Sequence, residues 1–252
     1  MYPTRPERLQ DRRKEAHQGK VLDEFFDHPT LLAISRLINQ GYFDAIDHPI
    51  STGKEGGVFR GTKGKRWVAI KVYRVGNATF RRFPLYALEE LRREVSVRNL
   101  RTLIPAWTRR EHTILGRLRA AGVRVPEPLG HFRNVLVMEY IGGPEGAAPR
   151  LKDALVEDLP GLYDDLVEQI RKMWEIARLV HGDLSPYNLL YHEGKVVTID
   201  VAQAVSAEHP EAKRLLERDV GHLAEFLRRE GLKVKTEEFL ERIRPSPKST
   251  EE

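Results

Sequence analysis

The 252-residue sequence predicts an α+β fold in two lobes, with strands early and helices late. Three observations carry this reading. Residues 67–73 (Trp-Val-Ala-Ile-Lys-Val-Tyr) and 135–141 (Val-Leu-Val-Met-Glu-Tyr-Ile) are apolar, β-branched runs of strand length. Leu162, Leu166, Ile170, Trp174 and Ala177 recur at helical spacing and mark one face of a long helix. Two further helical segments, about 208–230 and 236–244, follow it. A chain of this length suits one large domain or two small lobes sharing a cleft.

Residues 1–20 are polar and basic and read as a flexible arm, with no apolar stretch to serve as a signal peptide. Residues 21–49 form an N-terminal helical extension. There Leu31, Ile34, Leu37 and Ile38 recur every three or four positions, with Thr30 as cap and Gly41 as stop. Residues 50–138 make the first lobe. Its glycine-rich stretch 50–59 pairs with 67–73 in a hairpin whose turn holds Gly61 and Gly64. Residues 76–106 are rich in arginine without a clear apolar period, a mobile insertion with one short helix near 88–95. A helix from Trp107 to Ala121, stopped by Gly122, carries Glu111. Residues 139–252 make the second lobe, in which 181–188 is a loop and 189–191 pairs with 196–200 across Glu193-Gly194.

Composition narrows the classes. Hydrophobic residues are 40% of the chain, too many for a disordered protein. No run of eighteen apolar residues occurs, so no membrane partner is expected. Cysteine is absent, which excludes disulfides, thiolate nucleophiles and Cys-ligated zinc, and a cytoplasmic protein is the expectation. Between Arg60 and Arg124, 17 Lys and Arg face 4 Asp and Glu, a balance of +13 within a net charge of +5, so the remainder carries −8. That asymmetry suits a polyanionic partner for one lobe; a solvated, thermophile-like surface is the other explanation.

The chemistry concentrates in His181-Gly-Asp-Leu-Ser-Pro-Tyr-Asn188. An Asp followed five residues later by an Asn, on a loop between a helix and a strand, sets a base beside a metal ligand. In phosphoryl transfer Asp183 accepts the hydroxyl proton and the Asn188 oxygen holds Mg²⁺. Asp200 ends an Ile-Asp strand, where its carboxylate can bridge the metal to the phosphates. Lys71 stands on an otherwise apolar strand and needs an anionic partner: phosphate oxygens, and a helix carboxylate for which Glu111 leads and Glu89, Glu90 and Glu94 are alternatives. The glycines of Ser51-Thr52-Gly53-Lys54-Glu55-Gly56-Gly57 permit close backbone approach to phosphates.

In this order, the motifs resemble the protein-kinase superfamily and, more narrowly, the RIO family of atypical serine/threonine kinases, in the branch without a winged-helix domain. I-S-T-G-K-E at 50–55, V-A-I-K-V-Y-R at 68–74, A-P-R-L-K-D at 148–153, H-G-D-L-x-x-x-N at 181–188 and I-D-V-A-Q-A-V at 199–205 carry the likeness. It implies a protein-kinase-like fold, an antiparallel sheet plus helix in the N-lobe and a reduced helical C-lobe. It implies Asp183 as catalytic Asp, Asn188 and Asp200 as Mg²⁺ ligands, and Lys71 paired with Glu111. Ser51 to Gly57 and Val58 lie over the triphosphate of ATP, with Met138 as gatekeeper and Glu139 to Ile141 as adenine hinge. In related proteins the residue matching Asp200 is also tied to a phosphoaspartate during turnover. Mn²⁺ is expected to substitute for Mg²⁺, and Ser96 or Thr79 to accept autophosphorylation. The chain departs from ordinary kinases in reading Asp200-Val-Ala in place of D-F-G and in having no A-P-E element. The implied function is an autophosphorylating RIO-type kinase and ATPase acting on the small ribosomal subunit precursor and its rRNA. The competing classes are a small-molecule kinase of the aminoglycoside or choline type and a catalytically silent RNA-binding assembly factor.

Overall fold

A computed structural model describes residues 26–53, 56–74, 83–94 and 100–244. The basic arm at 1–20, Lys54, Glu55, Thr79, Arg81, Arg82 and Ser96 lie outside these residues. The described chain forms two compact units, one taking residues up to 74 with 100–109 and 129–140, the other taking 83–94, 110–128 and 141–244. Mixed strand and helix content, expected from the apolar runs and the helical periodicity, is what the chain adopts.

The first unit opens with α1 (His28–Asn39). Its cap is Asp27, whose carboxylate accepts from the Thr30 amide at 2.9 Å, rather than Thr30 itself. The sequence Asp27-His-Pro-Thr30 explains the shift, since Pro29 is preorganised for a first turn and moves the cap upstream. Thr30 is instead buried with Ala33, Ile34 and Leu37, while Leu31 is 48% exposed. Gly41, at φ +75°, ends the helix as expected.

The five-stranded sheet has the order β1-β2-β3-β5-β4, built from β1 (Ala45–Thr52), β2 (Gly56–Lys63), β3 (Arg66–Tyr73), β4 (Pro128–Phe132) and β5 (Val135–Glu139). Val68, Ile70 and Val72 alternate onto the face that packs with Ile34, Leu37, Phe43, Phe59 and Val137. The β2–β3 turn contains Gly64, at φ +57°, but not Gly61. Gly61 lies inside β2 opposite Val68, where a Cβ would meet the Ile70 Cδ1 at 2.5 Å. Close packing of the strand, against the Ile70 methyl and the Ala45 carbonyl at 3.0 Å, and not a turn, is what favours that glycine.

Within the arginine-rich segment, α2 (Leu85–Glu94) buries Ala87, Leu88 and Leu91. Helix α3 (Leu100–Ala120) starts upstream of the expected Trp107 and contains Pro105. Pro105 has no amide to donate to the carbonyl four residues earlier, so the helix carries it at the loss of one backbone hydrogen bond.

The second unit packs α4 (Leu159–Arg171), α5 (Ala212–Arg229) and α6 (Thr236–Ile243) around a Leu- and Val-rich core. The expected single helix through Ala177 widens into a π turn over Lys172–Ile176 and ends at its Ala177 cap, just before Arg178, whose φ is +54°. Three short antiparallel pairs accompany the helices. They join β6 (Gly142–Gly143) with β7 (Gly146–Ala147), β8 (Leu179–Val180) with β11 (Val205–Ser206), and β9 (Leu189–His192) with β10 (Lys195–Thr198).

Asp165, its side chain 3% exposed, joins these parts. It pairs with the Arg124 guanidinium and accepts from the Val196 amide at 3.0 Å, while Arg124 Nε donates to the Val196 carbonyl at 2.9 Å. Replacing Asp165 with Ala strands a buried amide and a two-thirds-buried guanidinium, and should cost about 2–4 kcal/mol of stability in urea unfolding. A loss within experimental error of zero would show that water replaces the carboxylate.

Candidate active site

The loop at 181–188 follows β8 and is held from three sides within the second unit. Gly182, at φ +79°, donates its amide to Asp219 Oδ2 at 2.8 Å. Its carbonyl accepts from the Tyr86 hydroxyl at 2.7 Å and from the Arg218 guanidinium. His181, 1% exposed, satisfies two neighbours with one tautomer: Nε2 donates to the Ile199 carbonyl at 3.0 Å and Nδ1 accepts from the Asp183 amide at 3.3 Å.

Asp183 and Asn188 meet. The Asn188 amide donates to the Asp183 carbonyl at 2.8 Å and to its Oδ2 at 3.1 Å. Gln203 Nε2 donates to the same Oδ2 at 2.8 Å. Both side-chain donors converge on one carboxylate oxygen, which orients the group and leaves Oδ1 to accept from another molecule. With its nitrogen committed to Asp183, the Asn188 amide presents its oxygen elsewhere.

Asp200 stands two residues beyond β10 instead of ending the strand. It adopts the left-handed conformation, φ 59° and ψ 46°, which for a residue other than glycine is sparsely populated and concentrates at functional sites. The Ile199 amide donates to the Asn188 carbonyl at 3.0 Å, so the Asp200 turn is tied to the Asn188 loop. No group of three or more His, Cys, Asp or Glu gathers among the described residues. The amide oxygen of Asn188 and the carboxylate of Asp200, with phosphate oxygens, are a donor set that suits Mg²⁺.

In the first unit Ser51, Val58, Lys71 and Leu136 form one row across the sheet. Lys71 lies on the face opposite the α1 core, its ammonium 4.9 Å from the Tyr73 ring centroid. Met138, 8% exposed, is opposite Ala69 on that same face. Thr52 ends β1, Gly53 donates to the Gly56 carbonyl at 2.9 Å, and a Cβ on Gly56 would sit 2.4 Å from the Val72 carbonyl. Glu139 is exposed at the end of β5. Glu111, on α3 and 1% exposed, and half-buried Ile141 belong to the second unit. Of the alternative carboxylates, Glu90 is engaged with Arg110 at 2.7 Å.

Gln203, Tyr86, Arg218 and Asp219 escaped the sequence reading. Gln203 had a signal, its place in I-D-V-A-Q-A, but the other three had none: a Tyr in a basic segment and an Arg-Asp pair in a helix look like solvated positions. Asp219 is 1% exposed, and burial pushes its carboxyl from 3.8 up to about 7, against the opposing pull of the Gly182 and Leu184 amides and of Arg218. A raised carboxyl stabilises the fold fully below the unfolded value and loses that contribution as pH climbs from about 4 through 7. Asp219→Asn keeps an acceptor for Gly182 and has no charge to bury. The stability of wild type relative to this variant, from urea midpoints, should therefore fall between pH 4.5 and 8. A pH-independent difference would refute the buried titration.

The match to the RIO domain family covers residues 57–239. The chain is 42% identical over 221 residues to the RIO-type serine/threonine-protein kinase Rio1 of Haloferax volcanii, covering 87% of this chain and 76% of that one. It is 39% identical over 188 residues to its Thermoplasma acidophilum namesake, covering 74% and 98%. Among solved structures, the Rio2 kinase of Chaetomium thermophilum superposes with a TM-score of 0.66 at 21% identity over 84% of this chain and 66% of that one. Its ADP/Mg²⁺-phosphoaspartate complex does so with 0.65 at 22% over 85% and 66%. This second likeness is one of fold, and it is the protein-kinase-like fold. The chain belongs to the RIO domain family, in the company of the RIO-type serine/threonine-protein kinases.

Proposed function

We propose that this chain is an ATP- and Mg²⁺-dependent serine/threonine kinase and ATPase that phosphorylates itself and acts on the small ribosomal subunit precursor. The observation that supports the chemistry best is the Asp183 carboxylate, gripped on Oδ2 by Asn188 and Gln203, beside a turn that holds Asp200 left-handed. The hydroxyl of a Ser, or a water molecule, attacks the γ-phosphorus while Asp183 Oδ1 takes its proton. The new O–P bond forms as the bond to the β-phosphate oxygen breaks and ADP departs. Asn188 Oδ1 and Asp200 would hold Mg²⁺, which when bound neutralises charge on the phosphate oxygens. Lys71 donates to the phosphates and is balanced by the buried Glu111 carboxylate. Residues Ser51 to Gly56, with Val58, cover the triphosphate, and Met138, Glu139 and Ile141 receive the adenine. Family membership, named kinases among the relatives, and an ADP/Mg²⁺ complex among the fold neighbours support this reading.

Asp200→Asn should lower Mg²⁺-dependent ATP turnover by far more than tenfold, because loss of a metal ligand removes several kcal/mol of charge stabilisation. Asp183→Ala should slow autophosphorylation by about 10²–10⁴-fold yet leave nucleotide affinity nearly unchanged. Turnover close to wild type in the first variant, or an equal collapse of affinity in the second, rejects the respective role.

The ribosomal part of the proposal rests on the +13 balance between Arg60 and Arg124. Changing Arg81, Arg82, Arg92 and Arg93 to Ala should flatten the slope of log K against log salt for rRNA binding, by about 0.7–0.9 for each phosphate no longer neutralised. Parallel slopes would remove this segment from the interface.

A further inference from the structure

The turn that follows Asp200 is held by two residues from helices far away in sequence. Arg110 on α3 donates Nε to the Ala202 carbonyl at 3.1 Å and a terminal nitrogen to the Ala204 carbonyl at 2.7 Å. Glu90 on α2 accepts from Arg110 at 2.7 Å through Oε2 and from the Ser206 amide at 2.9 Å through Oε1. The Glu90 and Arg110 side chains are 14% and 4% exposed, so neither charge would stay there without the other. Two carbonyls and one amide of the five residues 202–206 are thus bound to one buried ion pair.

We propose that Glu90 and Arg110 are positioning residues for the metal site, clamping residues 202–206 so that Asp200 stays in its left-handed conformation. A left-handed Asp is held against its own backbone preference, and persists only where the flanking chain over-determines it. Upstream, Ile199 is bonded to Asn188. Downstream, the turn at Val201–Gln203 has one internal bond, Ala204 to the Val201 carbonyl, and the pairing of Val205 with Val180. Gln203 is tied to Asp183 by its side chain, and the ion pair adds a further restraint on the backbone carbonyls of Ala202 and Ala204. It also explains the commitment of Glu90, which the sequence offered as a partner for Lys71. Because Arg110 adjoins Glu111 on α3, a shift of that helix would pull on the Asp200 turn. The inference rests on the reading of Asp200 as a metal ligand.

The test uses the full chain and Mn²⁺ as the probe, titrated by electron paramagnetic resonance in the presence of ADP. A cavity of about 320 Å³, lined by Glu90, Arg110, Thr113, Arg117 and Ser206, adjoins the pair, so water can enter a truncated site. Arg110→Ala should weaken Mn²⁺ binding by about 10–100-fold, the usual effect of losing a partner that orients a ligand. In the nucleotide-free protein it should speed amide exchange at Ala204 and Ser206, and low-millimolar guanidinium should reverse both effects. Glu90→Gln keeps an acceptor for Ser206 but removes the charge that fixes Arg110; it should move both readouts the same way by less, and it decides the matter if Arg110→Ala does not fold. Mn²⁺ affinity within twofold of wild type in these variants, alongside a large loss in Asp200→Asn, overturns the clamp. Unchanged affinity in Asp200→Asn as well overturns the metal assignment beneath it.

Discussion

A carboxylate buried among leucines governs the second unit. Asp219 shares the inner face of α5 with Leu215, Leu216, Val220 and Leu223, where an ionised or unsatisfied carboxyl would be severely destabilising. It is tolerable because the Gly182 amide reaches it, and that bond can form only if the chain at Gly182 takes a left-handed turn. Tyr86 and Arg218 complete the restraint from the carbonyl side. Asp183, the next residue, inherits a fixed backbone from a requirement that is about burial and has nothing chemical in it.

From there the order propagates through short polar links. Asn188 closes on Asp183, Ile199 on Asn188, and Gln203 returns to the Asp183 carboxylate. The candidate site is therefore a ring of hydrogen bonds laid on a Leu- and Val-rich core, and each member orients the next. Asp183 is exposed, so these bonds orient its carboxylate while leaving it open to solvent and to an incoming molecule. The second left-handed residue, Asp200, belongs to the same ring, and the Glu90–Arg110 pair lies just outside it. The first unit contributes in a simpler way. Strand alternation alone puts Val68, Ile70 and Val72 in the core and Lys71 on the opposite face.

Where local pattern and local physics coincide, the sequence was a sufficient guide. The strands at 67–73 and 135–139, the hairpin across Glu193-Gly194 and the terminal helices follow from periodicity and turn residues. Errors arose where a residue had two local uses. Thr30 caps helices well, but Asp27 does so with a proline behind it. Gly61 resembles a turn glycine, yet it lies inside a strand, crowded by the Ile70 methyl and the Ala45 carbonyl.

By itself the sequence determined the strand and helix inventory, the family, and the short-range pair Asp183 and Asn188, because five residues on one loop cannot be far apart. It also marked Asp200 and Lys71 as charged residues in apolar runs. Only the tertiary structure decided which other charges are buried and whom they meet. Asp219 finds Gly182 across 37 residues, Arg110 finds Ala202 across 92, and Glu90 finds Ser206 across 116. In sequence each looks like an ordinary helical surface charge. A buried charge is stable only through its partner, and a partner that far along the chain leaves no trace in local spacing.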